Sequence, residues 1–364
     1  MSIGPRDLSS LVLLTGWDAT ALKNFQLEDG TTYAAIVAQM NAVLGALNTE
    51  LTADMWGSLV SYTDQPDVEY RVGVSNGFEL FTEFSRADPQ RAATEGHMIP
   101  LRPYDRRLGW TWSYLKKARA SQITADIADA IKDARDLWRV RILTRILKRT
   151  DDSGANNGLG TSGLSPGFAT TAGSTGVDFV PPAFGGTAFL NTHEHYVGIT
   201  GGVFTNAVFE DASDELAEHG HEPPYEFWIG PSDEIAVAAL TKFTAAPDPL
   251  VQLGLTQDRA LVPLGYIGTI EGFRVKVVRG IPQYYGVGFK SYGPNSQRNP
   301  VVIRLEQGVT RPRVVAMPDP TESNGSFPLQ HLMLYVEFGV GVADRTAGTA
   351  RYVNSATWTD GVPT

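Results

Sequence analysis

The sequence predicts an α+β protein, and three observations carry that expectation. One unbroken helical pattern runs from Ser121 to Arg149, the longest in the chain. Just before it, apolar and polar residues alternate on both sides of an Asn-Gly pair, VEYRVGV and then FELFTEF, which marks a β ribbon. From Tyr225 onward, helix and strand patterns are mixed in short units separated by Gly/Pro turns.

Residues 1–66 read as an arm. Within it Thr31 to Leu47 has a broad apolar face of Ala34, Ile36, Val37, Met40, Val43, Leu44 and Leu47. A single amphipathic helix cannot bury such a face alone, so it must dock on the body or on another chain. Residues 67–115 read as an extended β loop. Its strands are 67–74 and 78–84 around Ser75-Asn76-Gly77. A polar excursion rich in Arg and Pro follows from Ser85 to about Arg107, and a third alternating run, LGWTWSYL, covers 108–115.

The rod at 121–149 carries one apolar stripe: Ile123, Ile127, Ala130, Ile131, Ala134, Leu137, Trp138, Val140, Leu143, Ile146 and Leu147. Ser121 is the expected N-cap. Asp126 and Asp129 come early; Arg139, Arg141, Arg145, Lys148 and Arg149 come late, which suits the helix macrodipole. At about 1.5 Å per residue the rod is roughly 40 Å long, enough to span a domain.

A low-complexity, Gly-rich loop occupies 151–187. Two catalytic-looking patterns fall in it. Gly158 to Gly163 matches G-x-G-x-x-G, and Gly163 to Gly167 matches G-x-S-x-G around Ser165. The first needs a strand before it and a helix after it; the second needs a sharp strand-to-helix turn. Neither flank supplies these, so neither a nucleotide site nor a hydrolase nucleophile is expected. Two H-x-H pairs follow, His193/His195 and His219/His221, with Glu194, Glu218 and Glu222 beside them. Imidazole and carboxylate can bind zinc or similar metals, and on a strand H-x-H places both rings on one face. The favoured reading is polar loop histidines near the end of a helix at Asn206 to His219, stopped by Gly220. A metal-dependent enzyme using the pairs is the alternative.

YEFWIGP at 225–231 reads as a buried strand ended by Gly-Pro. A helix at 235–243 follows, capped by Ser232 or Asp233. Strands are expected at 273–278, 285–293, 301–308, 311–318, 331–346 and 350–358.

The bulk properties set limits. At 364 residues the chain exceeds the roughly 250–300 at which single cores stop growing, so two domains or a core with long extensions is expected. The 37 Gly and 22 Pro imply many turns. With no Cys there is no disulfide framework and no thiolate site. The apolar run Leu11 to Leu14 is too short for a signal-peptide core, and no run approaches the roughly 18 residues of a membrane helix, so the chain is expected to be made in the cytosol. The net charge is −10, unevenly placed: residues 86–149 hold 15 Lys/Arg and 7 Asp/Glu, net +8, leaving −18 elsewhere. Basic limbs and an acidic remainder let copies of one chain attract each other.

This order of parts, from about Leu51 to Trp358, resembles the major capsid protein of tailed bacteriophages, a fold shared with encapsulin shells and the herpesvirus capsid floor. The matching segments are Trp228 to Pro231, Leu264 to Val278, Phe289 to Gly293, Val301 to Gly308, Leu332 to Arg345 and Ala350 to Trp358. The resemblance lies in the order and lengths of elements, not in signature residues. It implies an N-terminal arm (1–66), an extended β loop (67–115) and a peripheral domain (116–222) with spine helix 121–149 and Gly-rich loop 151–187. It further implies an axial domain (223–328) and closing strands of the peripheral domain with a C-terminal tail (329–364). The implied function is structural: self-assembly through pentamers and hexamers into an icosahedral head enclosing packaged double-stranded DNA, without sequence-specific binding. An encapsulin-type compartment is the variant. Some relatives carry a helical scaffolding segment before the arm; only a short arm precedes the ribbon here, which implies a separate scaffolding protein. A portal and a decoration protein are further expected partners, and the virion is the expected location. Some relatives crosslink subunits through Lys and Asn, for which Lys116, Lys117 and Asn295 are candidates not matched to the required positions.

No residue is assigned a catalytic, cofactor or metal role, and no membrane partner is expected. The candidate site is the set of inter-subunit contacts on the extended loop: Phe78, Leu80, Phe81, Phe84, Trp110 and Trp112, expected to lack partners within their own chain, and Arg86, Arg91, Arg102, Arg106 and Arg107, expected to meet acidic surfaces on a neighbour. Burying the apolar members between chains would contribute about 25 cal/mol per Å² of apolar surface, less the ordering entropy.

Overall fold

The computed structural model describes residues 27–53, 55–72, 93–111, 114, 116–150, 165–170, 193–246, 265–318 and 329–363. In chain order its elements are α1 (Tyr33–Ala53), β1 (Val60–Thr63), β2 (Asp67–Val72), β3 (Ala93–Met98), β4 (Arg102–Thr111) and α2 (Ala120–Leu147). Then come β5 (Tyr196–Gly198), α3 (Asn206–Glu218), β6 (Tyr225–Ile229), α4 (Glu234–Ala238), β7 (Thr244–Ala245), β8 (Tyr266–Ile270) and β9 (Phe273–Val277). The last are β10 (Tyr285–Phe289), β11 (Val301–Leu305), β12 (Val315–Pro318), β13 (Leu329–Val342) and β14 (Gly348–Tyr352). The chain divides into two compact units, one of residues 1–55, 101–139 and 305–339, the other of 56–100, 140–304 and 340–364.

In the first unit, the Thr32 hydroxyl accepts the Ala35 amide (3.3 Å) at the start of α1, an N-cap bond. Leu44 and Leu47, three residues apart, bury one side of that helix. Asn48 brackets Val314 with both ends of its amide, accepting its N–H (2.8 Å) and donating to its carbonyl (3.2 Å). The rod α2 spans nearly the expected range, but its start differs. Ser121 lies inside the first turn. Its first amides are instead met by Asp29, outside the helix, whose carboxylate accepts the Ala120 N–H (2.8 Å), and by Gln122, which reaches back from the first turn to accept the Arg119 N–H (3.0 Å). The Ala120 and Thr31 amides hold the Asp29 carboxyl below its ordinary range. Further along α2, Trp138 stacks on Phe338 with centroids 3.7 Å apart.

The sequence places 108–115 in the extended loop. The structure instead pairs the whole of β4 with β13, antiparallel, from Arg102↔Phe338 to Thr111↔Leu329. β12 also pairs with β13. The ribbon among the described residues is thus β2 with β3, from Asp67↔Met98 to Val72↔Ala93.

The second unit holds a seven-stranded sheet in the order β5-β14-β10-β6-β9-β8-β7. β6 is buried along its whole length, its apolar and aromatic residues interrupted by Glu226, whose carboxylate is paired with Lys276 (2.8 Å). One face of α3, made by Val208, Phe209, Ala212 and Leu216, packs into a cluster with Tyr225, Phe227 and Phe273. β14, expected among closing strands of a peripheral domain, is hydrogen-bonded into this sheet beside β10. The helix expected at 235–243 is the shorter α4. Asp233 does not cap it through its side chain; that carboxylate accepts the Tyr284 amide (2.9 Å). β1 and β11 pair in parallel, Val60↔Val301 to Thr63↔Arg304.

Arg145 of α2 is buried, and its guanidinium donates to the carbonyls of Ser165 (2.5 Å), Lys148 (2.6 Å) and Thr150 (2.7 Å). Two of those carbonyls directly follow the helix, where a cation is favoured. Buried Arg345 holds the same loop by donating to the carbonyls of Gly167, Phe168 and Thr170.

Candidate functional site

Of the expected inter-subunit contacts, Phe78, Leu80, Phe81, Phe84, Arg86, Arg91 and Trp112 lie outside the described residues, as do the Asn-Gly turn and the G-x-G-x-x-G run. Arg102, Arg106, Arg107 and Trp110 all lie on β4. β4 lines a groove of about 530 Å³ with Arg106, Arg107 and Trp110 on one wall and Asp126 and Asp129 of α2 on the other. Trp110 corrects one expectation. It is buried within its own chain, and its indole N–H donates to Asp126 (2.9 Å). Pairing β4 into a sheet beside α2 gives the ring a partner that a free ribbon could not. Arg106 pairs with Asp133 of α2, both side chains being exposed.

Ser165 of the G-x-S-x-G run is buried with φ of 45°. Its amide donates to the Met98 carbonyl (2.9 Å) and its own carbonyl accepts from Arg145.

The four histidines do not behave as two pairs. The alternation of an extended chain puts His193 and His195 on one side of the segment entering β5. His195 is fully buried; its amide donates to the Ala169 carbonyl (2.9 Å) and its carbonyl accepts from Ala350 (2.8 Å). His219 is the C-cap of α3, which ends in a Schellman turn: His221 N–H bonds the Leu216 carbonyl (3.2 Å) and Gly220 N–H the Ala217 carbonyl (2.8 Å), with Gly220 at φ 81°. That left-handed glycine turns consecutive side chains apart. His219 meets His193 and His195, whereas His221 reaches the hydroxyls of Tyr292 (2.7 Å) and Thr346 (2.9 Å).

The three Nε2 atoms of His193, His195 and His219 lie 3.0–3.2 Å from one another, and Glu218 Oε1 lies 3.4 Å from His193 Nε2. Burial pushes His195 down to about 3, overcoming its bond to the Gly348 carbonyl, and lowers His193 against the opposing Glu215 charge. Burial raises the Glu218 carboxyl, with Glu215 and Asp214 adding to the rise. The His193 and His195 rings are therefore neutral imidazoles at pH 7. Among the described residues, these four have ligand atoms all within 4.8 Å of one another and could hold a metal ion. The reading of polar loop histidines missed this cluster. Its signal was Gly220, which fixes His219 as the cap of a helix end.

The element order, a helix, a β ribbon, a long rod and then mixed sheets, has a counterpart among solved structures. The chain is similar to a chain of Mycobacterium phage Patience at 19% identity and a TM-score of 0.64, over 91% of this chain and 92% of that one. The fold is that of a tailed-phage major capsid protein. Weaker overlaps with the capsid fold reach a mature capsid of bacteriophage PhiM1 (10% identity, TM-score 0.46, 82% of this chain and 87% of that one). They also reach a holo-SrpI encapsulin complex from Synechococcus elongatus PCC 7942 (12% identity, TM-score 0.41, 82% and 86%). No protein-family model matches the chain, and no curated protein does. Among the described residues, no helix is long and apolar enough to cross a membrane.

Proposed function

We propose that this chain is a structural shell subunit, the major capsid protein of a tailed phage, which assembles through pentamers and hexamers into an icosahedral head around packaged double-stranded DNA. The observation that carries the reading is the superposition on the Mycobacterium phage Patience chain over nine-tenths of both chains. The β2/β3 ribbon supports it, because among the described residues each of its strands pairs only with the other. Such a ribbon has backbone edges for a neighbour to cover. In this reading residues 1–66 are the arm, 116–222 and 329–364 the peripheral domain and 223–328 the axial domain. The apolar residues Phe78, Leu80, Phe81 and Phe84 are the loop's contacts with the adjacent subunit. No catalytic step is assigned. A separate scaffolding protein, a portal and decoration proteins are the expected partners.

The test is electron microscopy of the expressed full chain, alone and with its scaffolding protein. Closed shells or ring-shaped capsomers are expected. Removing residues 73–92 should abolish them while leaving the circular dichroism of the body intact. A monomer that stays monomeric at high concentration with scaffold present would overturn the proposal. Shells that enclose a cargo enzyme in place of DNA would replace it with a protein compartment.

A further inference from the structure

We propose that His193, His195, His219 and Glu218 bind one divalent transition-metal ion, with zinc the best fit, which ties the segment entering β5 to the C-terminal end of α3. The argument begins with the proton on His195. Its Nδ1 lies 2.7 Å from the Gly348 carbonyl oxygen, which can only accept, so Nδ1 carries the hydrogen. The lone pair of Nε2 then points at the other two rings. A backbone carbonyl on the far nitrogen is the usual support of a metal-bound imidazole.

No arrangement of protons satisfies the triangle of Nε2 atoms without a cation. The His195 corner is an acceptor. If only one of the other two corners bears a hydrogen, two bare lone pairs face each other. If both bear one, two N–H groups face each other. One repulsive contact at 3.0–3.2 Å remains in either case. A cation bound by all three lone pairs removes the conflict.

The dimensions agree with this. A tetrahedral zinc at about 2.0–2.1 Å from its ligands spaces them roughly 3.3 Å apart. The nitrogen triangle and the 3.4 Å between His193 Nε2 and Glu218 Oε1 are close to that. Three imidazoles and one carboxylate suit zinc over calcium or magnesium, which prefer all-oxygen shells. Four protein ligands close the coordination sphere, which makes the site structural and not catalytic. Glu218 supplies negative charge beside the ion, while the nearby Arg351 is already neutralised by Glu215 (2.9 Å).

The experiment uses the full chain produced without a histidine tag, stripped with chelator and titrated with zinc chloride. Elemental analysis after gel filtration should find about one zinc per chain, and the thermal midpoint should rise on zinc addition and fall back with chelator. Cobalt(II) should give the visible bands of a tetrahedral site. His193→Gln and His219→Gln should each weaken zinc binding on the order of a hundredfold or more, since even outer-shell changes cost 10–100-fold. His221→Gln, outside the cluster, should bind as the parent does. Because His195 is buried and its loss could impair folding, the partly exposed His193 carries the decisive variant. A chain that takes up no zinc, or a His193→Gln chain that binds it as tightly as the parent, overturns the proposal.

Discussion

Gly286→Ala tests the packing of the seven-stranded sheet. Gly286 sits in β10, between the aromatic rings of the core. A Cβ added there would lie 2.5 Å from Phe227 Cε1, 2.7 Å from its Cζ and 3.0 Å from Phe204 Cε1. Carbon atoms are content at about 3.5–4.0 Å, so a ring must move by roughly 1 Å. Phe227 is fully buried against Phe204, Phe209 and Phe273 and has nowhere to go. Overpacking of this kind costs about 1–3 kcal/mol. The loss of chain entropy in the unfolded state gives back about 0.4–1 kcal/mol, so the net effect is a loss of about 1–2 kcal/mol. That corresponds to a midpoint lower by roughly 2–8 °C, read by circular dichroism or calorimetry. Gly45→Ala is the matched control. Gly45 lies exposed in α1 with nothing within 4 Å of the added carbon, so the same change should stabilise by about 0.5–1 kcal/mol. Phe227→Leu should partly rescue Gly286→Ala, with a coupling of at least about 0.5 kcal/mol in the double variant. A Gly286→Ala midpoint at or above the parent's, or strict additivity with Phe227→Leu, would refute the reasoning.

Three further outcomes are expected. Glu226 Oε2 accepts from Ser58 (3.1 Å), Trp228 (3.2 Å) and Lys276 (2.8 Å); Glu226→Leu strands the half-buried ammonium and should cost about 3–5 kcal/mol in urea unfolding, whereas Glu226→Leu with Lys276→Met should recover much of it. Burial, helped by the charges of Arg345 and Arg145 against an opposing Val342 backbone bond, pushes His97 down to about 3. The unfolded chain therefore takes up this proton first, so stability is flat above about pH 6.5 and falls below it; near pH 5 the loss from this group is about 2 kcal/mol, and His97→Gln should flatten that part of the profile. Trp110→Phe keeps the ring but leaves the Asp126 carboxylate without the indole N–H, so unfolding of the lone chain should be easier by about 0.5–1.5 kcal/mol, with shell formation at saturating protein unchanged.

What the sequence made legible was local. The rod was readable because apolar residues of α2 recur three or four places apart along one stripe, and β6 because four of its five residues are apolar or aromatic and a Gly-Pro stop follows. Distance along the chain hid the rest. β4 and its partner lie far apart in sequence, Thr111 opposite Leu329, and nothing in LGWTWSYL distinguishes a ribbon strand from a body strand. The cap of α2 was misplaced because its carboxylate comes from Asp29, outside the helix. The histidines were grouped by H-x-H spacing, a rule for extended chain. His219 and His221 straddle a left-handed glycine, where that rule fails, and the true third member of the first pair lies 24 residues beyond His195.

The same distinction changes how the charge asymmetry bears on assembly. The excess of +8 over residues 86–149 suggested a basic limb seeking acid on a neighbour. Part of it is used at home. Arg145 is fixed on three carbonyls, Arg106 pairs with Asp133, and Arg139 pairs with Asp136 (3.2 Å). These uses are not equivalent. Both side chains of the Arg106–Asp133 pair are 41% and 52% exposed, and such a pair is worth about 0–1 kcal/mol and weakens in salt. Arg106 can exchange Asp133 for an acid on another subunit at little cost. Arg145 cannot leave without giving up its bonds to the buried Ser165 carbonyl and the partly buried carbonyls of Lys148 and Thr150. The charge free to act between copies is therefore smaller than the sequence total, and in our reading the shell depends more on backbone edges and apolar loop residues than on long-range attraction.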